Sequence, residues 1–161
     1  MASIQPFLWY NKEAEEAAKF YSGIFPDSHV DRVSALQTDS PFGPAGSVKV
    51  VEFTHMGQPF MAMSAGLMDP FNHAISLIVT CDTQDEIDHY WEALLEGGAP
   101  EQCGWLRDKY GVSWQIAQKR VFELHADPDK AKAKRVGDAM LTMVKLDIAK
   151  LEAAPHANGV T

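Results

Sequence analysis

The first helical pattern of apolar residues lies near the N-terminus. Its members recur at intervals of three and four positions, as on one face of an α-helix: Ala14, Ala17, Ala18, Tyr21 and Phe25. The β-rich residues 4–10 precede the pattern, and Asn11 is a favourable N-cap. Gly23 and Pro26 end it. We therefore predict a strand followed by a helix over residues 12–22.

Three further strands are predicted after this helix, over residues 29–37, 48–55 and 58–64. A loop rich in proline and glycine, residues 40–46, separates the first two. Met56-Gly57 predicts a tight hairpin between the last two. The first half of the chain is thus expected to fold as β-α-β-β-β.

The second half begins with the same order of elements. A buried strand is predicted over residues 75–81, and Thr83 with Glu86 forms a capping box for the helix that follows. The helix ends at Gly97-Gly98, and its sheet-facing positions are Ile87, Tyr90, Trp91 and Leu94. Strands are predicted over 102–107 and 112–117, and one strand is expected to be short or missing.

The chain also resembles itself in sequence. Residues 9–21 and 79–91 both run from a strand end through an acidic helix to an aromatic pair, and residues 57–63 match 111–117 in pattern. These similarities predict two related modules and a ligand site at the seam between them. We expect a single domain, 1–161, whose modules are 1–67 and 74–119, followed by a C-terminal helical extension, 120–161.

The extension is predicted to be mainly one helix over residues 130–154. Its apolar positions recur at three-to-four spacing: Val136, Met140, Val144, Ile148 and Leu151. We expect this helix to pack on the sheet or on a second subunit.

Composition narrows the function classes. The net charge of -8 over 161 residues disfavours nucleic acid, because phosphate binding needs clustered Lys and Arg. The sequence lacks an apolar run of ~20 residues and the order of a signal peptide, so we expect a cytoplasmic protein without membrane association. Cys81 and Cys103 are interpreted as small buried hydrophobes rather than a disulfide.

Four segments resemble one protein family over nearly the whole chain: PFLWYNKEAEEAAKFY, SLIVTCDTQDEIDHYW, CGWLRDKYGVSWQIA and AMLTMVKLDIAKLEAA. They are similar to the PhnB-like branch of the vicinal oxygen chelate superfamily, which includes glyoxalase I, bleomycin-resistance proteins and extradiol dioxygenases. Domains of this branch also carry the label 3-demethylubiquinone-9 3-methyltransferase. The resemblance implies an α+β fold in which two βαβββ modules form a curled mixed sheet around a cavity, commonly in a homodimer.

The resemblance also implies where metal ligands would stand. Metal-dependent members place one His, Glu or Gln on the first and last strand of each module, and counting from the shared motifs gives Pro6, Met61, Ser76 and Gln115. Proline has no donor, methionine is a soft thioether and serine is a poor neutral ligand. We therefore expect no metal and no cofactor. A rival site would combine His55 and His73 with Glu52.

Without a metal, a cavity must act through shape and a few polar groups. If Phe7 and Trp9 meet the helix, strand alternation turns Tyr10 to the cavity. Met61 and Met63 share one strand face and suit an adaptable apolar wall, and Gln115 would orient a ligand. Core packing is the competing interpretation for each of them.

Residues near the turn at 108–111 form a second candidate group. Trp105 and Trp114, with Asp108 and Lys109, would stack a flat ligand at the cavity mouth, although Asp108 to Gly111 is also what a tight turn requires. Cys103 is a weaker candidate, as a nucleophile. We expect the ligand-binding residues to be Tyr10, Met61, Met63, Trp105 and Gln115; catalytic residues stay unassigned.

The leading hypothesis is a metal-independent, homodimeric small-molecule-binding protein whose catalysis is open. The alternative is an enzyme of the same superfamily, either a metal-dependent lyase or dioxygenase relative or the methyltransferase of the family label. The S-adenosylmethionine-binding turn of doubly wound methyltransferases is not found, since Gly97-Gly98 ends a helix. A third possibility is a dimerisation module whose cavity is filled by side chains.

Overall fold

Both halves of the chain contain a four-stranded mixed sheet in the computed structural model, which describes residues 1–66 and 69–157. The chain divides into two compact units, Met1–Pro70 and Phe71–Thr161. Further helices follow the sheet of the second unit. The class is therefore α+β, as predicted. Within the described residues, none of the helices is long and apolar enough to cross a membrane.

The first unit has the predicted order of elements. They are β1 (Phe7–Tyr10), α1 (Ala14–Ile24), β2 (His29–Ala35), β3 (Lys49–His55) and β4 (Gln58–Ser64). The strands lie in the order β1-β4-β3-β2, with β1 parallel to β4 and the other pairs antiparallel. Met56 and Gly57 both have positive φ, 46° and 77°, as a two-residue hairpin turn requires.

The second unit repeats this topology. Its elements are β5 (Leu77–Cys81), α2 (Gln84–Leu95), β6 (Ala99–Pro100), β7 (Trp105–Arg107) and β8 (Ser113–Gln118). The strand order β5-β8-β7-β6 matches that of the first unit, and β5 is again parallel to β8. The internal repeat is confirmed. All four strands are present, and the expected shortening falls on β6, which has two residues.

The helix α1 begins later than predicted. Asn11 is not its N-cap; the cap position is Glu13, whose side chain makes no capping hydrogen bond. The hydroxyl of Ser64, at the end of β4, instead accepts a hydrogen bond from the Ala14 amide at 3.0 Å. A free amide of the first helical turn is therefore satisfied by a residue distant in sequence. The predicted apolar face, by contrast, is confirmed, because all five of its residues are buried.

The predicted N-cap of α2, Thr83, is confirmed, and the return bond of Glu86 goes to the amide of the residue before the N-cap. The Thr83 hydroxyl accepts from the Glu86 amide at 3.2 Å, and the Glu86 carboxylate accepts from the Asp82 amide at 2.7 Å. Of the predicted inward residues, Ile87, Trp91 and Leu94 are buried. This helix covers one face of the second sheet.

The C-terminal extension differs from its prediction. Instead of one helix over 130–154 there are α4 (Lys130–Leu141) and α5 (Ile148–Ala153), and α3 (Lys119–His125), which was not predicted, precedes them. The Thr142 hydroxyl bonds the carbonyl of Ala139 as α4 ends, and the Asp147 side chain caps α5. Apolar spacing continues across this break, and for that reason the pattern alone suggested a single helix.

The chain between α4 and α5 is attached to the second module. The amides of Cys103 and Gly104 donate to the carbonyls of Met143 and Val144, at 2.9 and 2.7 Å. The Gln84 side chain on α2 donates to the Leu146 carbonyl at 3.0 Å and accepts from the Ile148 amide at 2.9 Å. Side chains at positions 146 and 148 are buried. These backbone bonds compete with helix formation over residues 143–146.

A histidine lies within the aromatic core of the first unit. The ring of His55 is 5.1 to 5.4 Å, centre to centre, from four aromatic rings: Tyr21, Phe25, Phe53 and Phe60. Only 6% of its surface is exposed. Burial disfavours the imidazolium and lowers the pKa of His55 from 6.5 to about 4.

This shift predicts an acid-sensitive core. The folded pKa of His55 is below its unfolded value, so its neutral form contributes fully above about pH 6.5 and the contribution is lost as pH falls toward 4. We expect the free energy of unfolding to fall by about 2 kcal/mol more between about pH 7.5 and pH 5 in the native protein than in His55→Leu. Urea unfolding of both proteins measures this difference, and equal pH dependences would contradict it.

Candidate functional site

The first sheet has one face against α1 and one face turned away from it. Buried side chains alternate along β3 and β4 on the α1 side: Val51, Phe53, His55, Phe60 and Ala62. Met61 and Met63 point to the opposite face and are partly exposed. On β1 their Cα partners are Phe7 and Trp9, which lie on that same face. The two methionines therefore belong to a partly open apolar surface.

Tyr10 lies on the other side of this sheet. It is 2% exposed, and its hydroxyl is 3.2 Å from the hydroxyl of Tyr21 on α1. The expectation that Tyr10 faces the cavity is wrong, because it assumed that Phe7 and Trp9 would meet the helix. Strand alternation separates the residues of β1 into two sets without showing which set the helix covers.

The second sheet is built in the same way. Trp114, Ile116, Leu106 and Val79 are buried on the side of α2. Gln115 lies on the opposite face, with Ile78 of β5 and Trp105 of β7 as its Cα partners. Gln115 and Trp105 are partly exposed, and Ile78 is 47% exposed. We call this group, Trp105, Gln115 and Ile78, the open face of the second sheet.

Gln115 is held in place by a neighbouring hydroxyl. Its Nε2 donates to the Oγ of Ser76, which lies just before β5, at 2.8 Å. The hydrogen bonds of the described residues use only this end of the amide, so Oε1 is available as an acceptor. The side chain thus offers a positioned polar group on a mostly apolar surface.

Trp105 and Trp114 do not form an aromatic pair. They stand on adjacent strands with opposite faces, since Trp105 is the partner of Gln115 and Trp114 is the partner of Leu106. The hypothesis that both tryptophans stack one flat ligand is therefore wrong. Of the two tryptophans, only Trp105 is on the open face.

Asp108 organises the turn between β7 and β8. Its Oδ1 accepts from the amides of Tyr110 and Val112, at 2.8 and 3.1 Å, and its Oδ2 accepts from Nε1 of Trp114 at 2.9 Å. The residue is 3% exposed. The two amide bonds are those expected of a tight turn, and the indole bond ties the turn to β8.

A histidine and a carboxylate lie beside Trp105. Nε2 of His73 is 2.7 Å from Oε2 of Glu101, and Nε of Arg107 is 3.3 Å from Oε1 of the same carboxylate. The rings of His73 and Trp105 are 6.1 Å apart, centre to centre. Sequence reasoning missed Glu101 and Arg107, because the pairing of residues 28 positions apart leaves no local pattern.

The residues at the expected metal positions come together as two pairs, with one pair in each module. The amide of Met61 donates to the carbonyl of Pro6 at 3.0 Å, and the side chains of Ser76 and Gln115 are hydrogen-bonded. Their side chains supply a thioether, a hydroxyl and an amide, and no carboxylate or imidazole. This donor set does not suit a divalent metal ion.

The rival metal site is not assembled as proposed. Glu52 and His55 lie on opposite faces of β3, where Glu52 pairs with Arg32 at 2.6 Å and His55 is enclosed by aromatic rings. His73 pairs with Glu101. Across the described ranges, the structure holds no cluster of three or more His, Cys, Asp or Glu side chains suited to a metal ion.

Both cysteines are free thiols. Burial raises the pKa of Cys81 to about 11, with smaller contributions from the carboxylates of Glu86 and Asp82. A thiol protonated at neutral pH is a poor nucleophile. Cys103 has a φ of 60° and belongs to the backbone attachment of the extension.

Two pockets in the structure lie away from the predicted residues. One, of about 560 Å³, is formed by Gln84 and Asp88 of α2 with residues 142–147 and the start of α5. The other, of about 280 Å³, lies at the ends of β1 and β4 and is lined by Lys12, Lys49 and the loop preceding β3. Neither is lined by Met61, Met63, Trp105 or Gln115.

The repeated β-α-β-β-β modules define a protein of the vicinal oxygen chelate superfamily, in agreement with its structural neighbours. The family model described as 3-demethylubiquinone-9 3-methyltransferase matches residues 2–117. The chain belongs to this family. The match ends before the C-terminal extension, so α3, α4 and α5 lie outside the matched residues.

Solved structures agree with this assignment. A putative 3-demethylubiquinone-9 3-methyltransferase, PhnB protein, from Bacillus cereus is 36% identical, with a TM-score of 0.64 over 73% of this chain and 99% of that chain. Protein PA1353 from Pseudomonas aeruginosa is 22% identical, with a TM-score of 0.55 over 74% of this chain and 100% of its own, and at this identity it shows the shared fold alone.

More distant matches show the fold alone. The genomically encoded fosfomycin resistance protein FosX from Listeria monocytogenes, in a monoclinic crystal form at pH 6.5, is 17% identical, with a TM-score of 0.52 over 76% of this chain and 94% of that chain. Among curated proteins, no relative matches the chain.

The hydrogen bonds of Asp108 predict a large cost on its removal. Asp108→Ala leaves the Val112 amide and the Trp114 indole without their acceptor in a buried position. We expect a loss of about 2 to 4 kcal/mol in the free energy of unfolding, and a smaller loss for Asp108→Asn, which keeps one acceptor oxygen. Urea unfolding with Trp fluorescence checks both; a loss below about 1 kcal/mol for Asp108→Ala would contradict this role.

Proposed function

We propose that this protein binds a small organic molecule on its open sheet surface without a metal ion. The observation that carries the proposal is the arrangement of the second sheet, where the anchored amide of Gln115 lies beside the partly exposed ring of Trp105. A flat apolar ligand would stack on the indole, and Gln115 Oε1 would accept one hydrogen bond from it.

The first sheet supports the same kind of ligand. Met61 and Met63 are partly exposed on the face opposite α1, next to Phe7, which is 49% exposed. Thioether side chains adapt to ligands of varied shape, and exposed apolar patches of this kind commonly mark binding surfaces. On the first sheet the methionines would supply contact area, and on the second sheet Gln115 would orient the ligand, with each face acting by itself.

The poor donor set at the expected ligand positions supports metal independence. Each position offers a neutral side chain or none, so a divalent ion would gain little on leaving water. The proposal also includes a cytoplasmic location and a homodimer, as commonly found in this superfamily. Exposed apolar side chains on the C-terminal extension, Phe122 and Leu141, favour self-association.

The family description makes methyl transfer the second candidate. S-adenosylmethionine would then stabilise the protein against heat, as any ligand of the folded state does. The paired glycines 97 and 98 follow α2 rather than open a helix, and so they do not form the turn that doubly wound methyltransferases use. The absence of a thermal shift with S-adenosylmethionine would reject this candidate.

Replacing Gln115 tests the binding proposal. We use 5-nitrobenzotriazole, a flat heterocycle with an N–H donor, as the probe for isothermal titration. In Gln115→Leu the Kd should rise about tenfold, the equivalent of one lost hydrogen bond of about 1.4 kcal/mol, while the free energy of unfolding should change by less than about 1 kcal/mol. Gln102→Leu, an exposed glutamine of the same unit, is the matched control and should bind as the native protein does.

Two results would contradict the proposal. A large loss in the free energy of unfolding of Gln115→Leu, with an unchanged probe Kd in the folded variant, would make the residue structural. A probe affinity that disappears in EDTA and returns with Zn, Mn, Ni or Fe would show that a metal is required. If the proposal is right, the Kd of the probe is the same before and after dialysis against EDTA.

A further inference from the structure

We propose that His73 is a general base for the ligand held on the open face of the second sheet, with Glu101 as the residue that positions it. This inference rests on the proposed function, because it assigns chemistry to the same surface. The ligand class is a flat organic molecule that carries an acidic C–H group. The catalytic step is the removal of that proton by an imidazole nitrogen, without a metal.

The hydrogen bond between His73 and Glu101 selects the tautomer. Nε2 is 2.7 Å from the Glu101 carboxylate, so the neutral ring carries its proton on Nε2 and donates it to Oε2. The lone pair is then on Nδ1, which has no hydrogen-bond partner among the described residues. The imidazole is thereby prepared to accept a proton at one defined atom.

The carboxylate is itself held. Its second oxygen, Oε1, is 3.3 Å from Nε of Arg107, and only 21% of its side chain is exposed. The Glu101 amide donates to the Trp105 carbonyl at 2.9 Å, which ties the residue to the start of β7. On the other side, the Asn72 side chain accepts from the Ala74 amide at 2.8 Å and forms a turn around His73.

The position of the pair relates it to the ligand surface. The ring of His73 is 6.1 Å from the ring of Trp105, on the strand next to Gln115. Arg107 shares the face of Trp105, because it is two residues further along β7. A ligand that stacks on Trp105 and bonds Gln115 would therefore lie near the imidazole, and the proposal places the acidic C–H of the ligand on that side.

The chain contains an internal comparison for this pair. His29 and Asp31 on β2 also form a histidine-carboxylate pair, with Nε2 3.0 Å from Oδ1. The two histidines are similarly exposed, 63% for His29 and 56% for His73, whereas Asp31 is more exposed than Glu101, at 41% against 21%. Among the ring contacts of the described residues, His29 has none. The second pair has the same chemistry without a neighbouring stacking surface, and it serves as the control.

The test uses 5-nitrobenzisoxazole, a flat aromatic compound that reports proton removal by colour. The base takes the proton from C3, the C–H electron pair completes a C≡N bond, the N–O bond breaks, and the oxygen leaves as a coloured phenolate. The proton on His73 then returns to water. The reaction needs no oxidant, reductant or metal, and its progress is followed by absorbance in protein treated with EDTA.

We expect saturable proton removal at a rate per protein at least tenfold above that of free imidazole at the same concentration. His73→Ala should lower kcat at least tenfold, and added imidazole should restore part of it. Glu101→Gln should lower kcat with little change in KM, since it acts through His73, whereas Trp105→Leu should mainly raise KM. His29→Ala should behave as the native protein does.

The results separate this inference from the proposed function. If 5-nitrobenzotriazole binds and Gln115→Leu weakens it, but the elimination rate is the same in native protein and His73→Ala, the general base is wrong and the binding proposal stands. If His73→Ala abolishes the elimination but Gln115→Leu leaves the Kd of 5-nitrobenzotriazole unchanged, the general base stands and the binding proposal is wrong. Equal loss in His29→Ala and His73→Ala would also overturn the inference.

Discussion

Parallel pairing of the first and last strands in each module is the constraint on which the rest depends. A parallel connection needs a crossover between the two strands. Here each crossover begins with a single helix, which is α1 in the first module and α2 in the second. One helix covers one face of a four-stranded sheet and leaves the other partly exposed. Met61, Met63, Trp105 and Gln115 all lie on such faces. The same topology that completes the core therefore also presents the candidate binding residues.

The second module shows how this open face can acquire chemical specificity. Gln115 is oriented by Ser76, and the His73 and Glu101 pair lies beside Trp105. The backbone next to Trp105 is in turn hydrogen-bonded to the C-terminal extension. The two segments lie so close that a side chain at Gly104 would collide with Leu146 and with the Ile116 carbonyl. The extension lies beyond the residues that the family model matches, and it holds the backbone beside an element that the model does match.

Sequence periodicity predicted the elements whose stability comes from local pattern. The buried face of α1, the N-cap at Thr83 and the strand over residues 58–64 appear as expected. The exceptions depend on distant contacts: Ser64 replaces Asn11 at the start of α1, and backbone bonds to residues 103–104 interrupt the predicted C-terminal helix. Similarly, alternation along β1 identified the two sets of side chains but assigned Tyr10 to the wrong one, because only the packing of α1 decides which set is covered.

The central claim is that a small organic molecule binds to the open face of the second sheet without a metal ion. Its most direct test is a titration of metal-free, ¹⁵N-labelled protein with 5-nitrobenzotriazole, followed by NMR of the side-chain N–H signals. We expect the Trp105 indole and the Gln115 amide signals to shift, while the signal of the Trp114 indole, bonded to Asp108 on the opposite face, stays in place. Shifts confined to other residues, or shifts that appear only after a divalent cation is added, would contradict it.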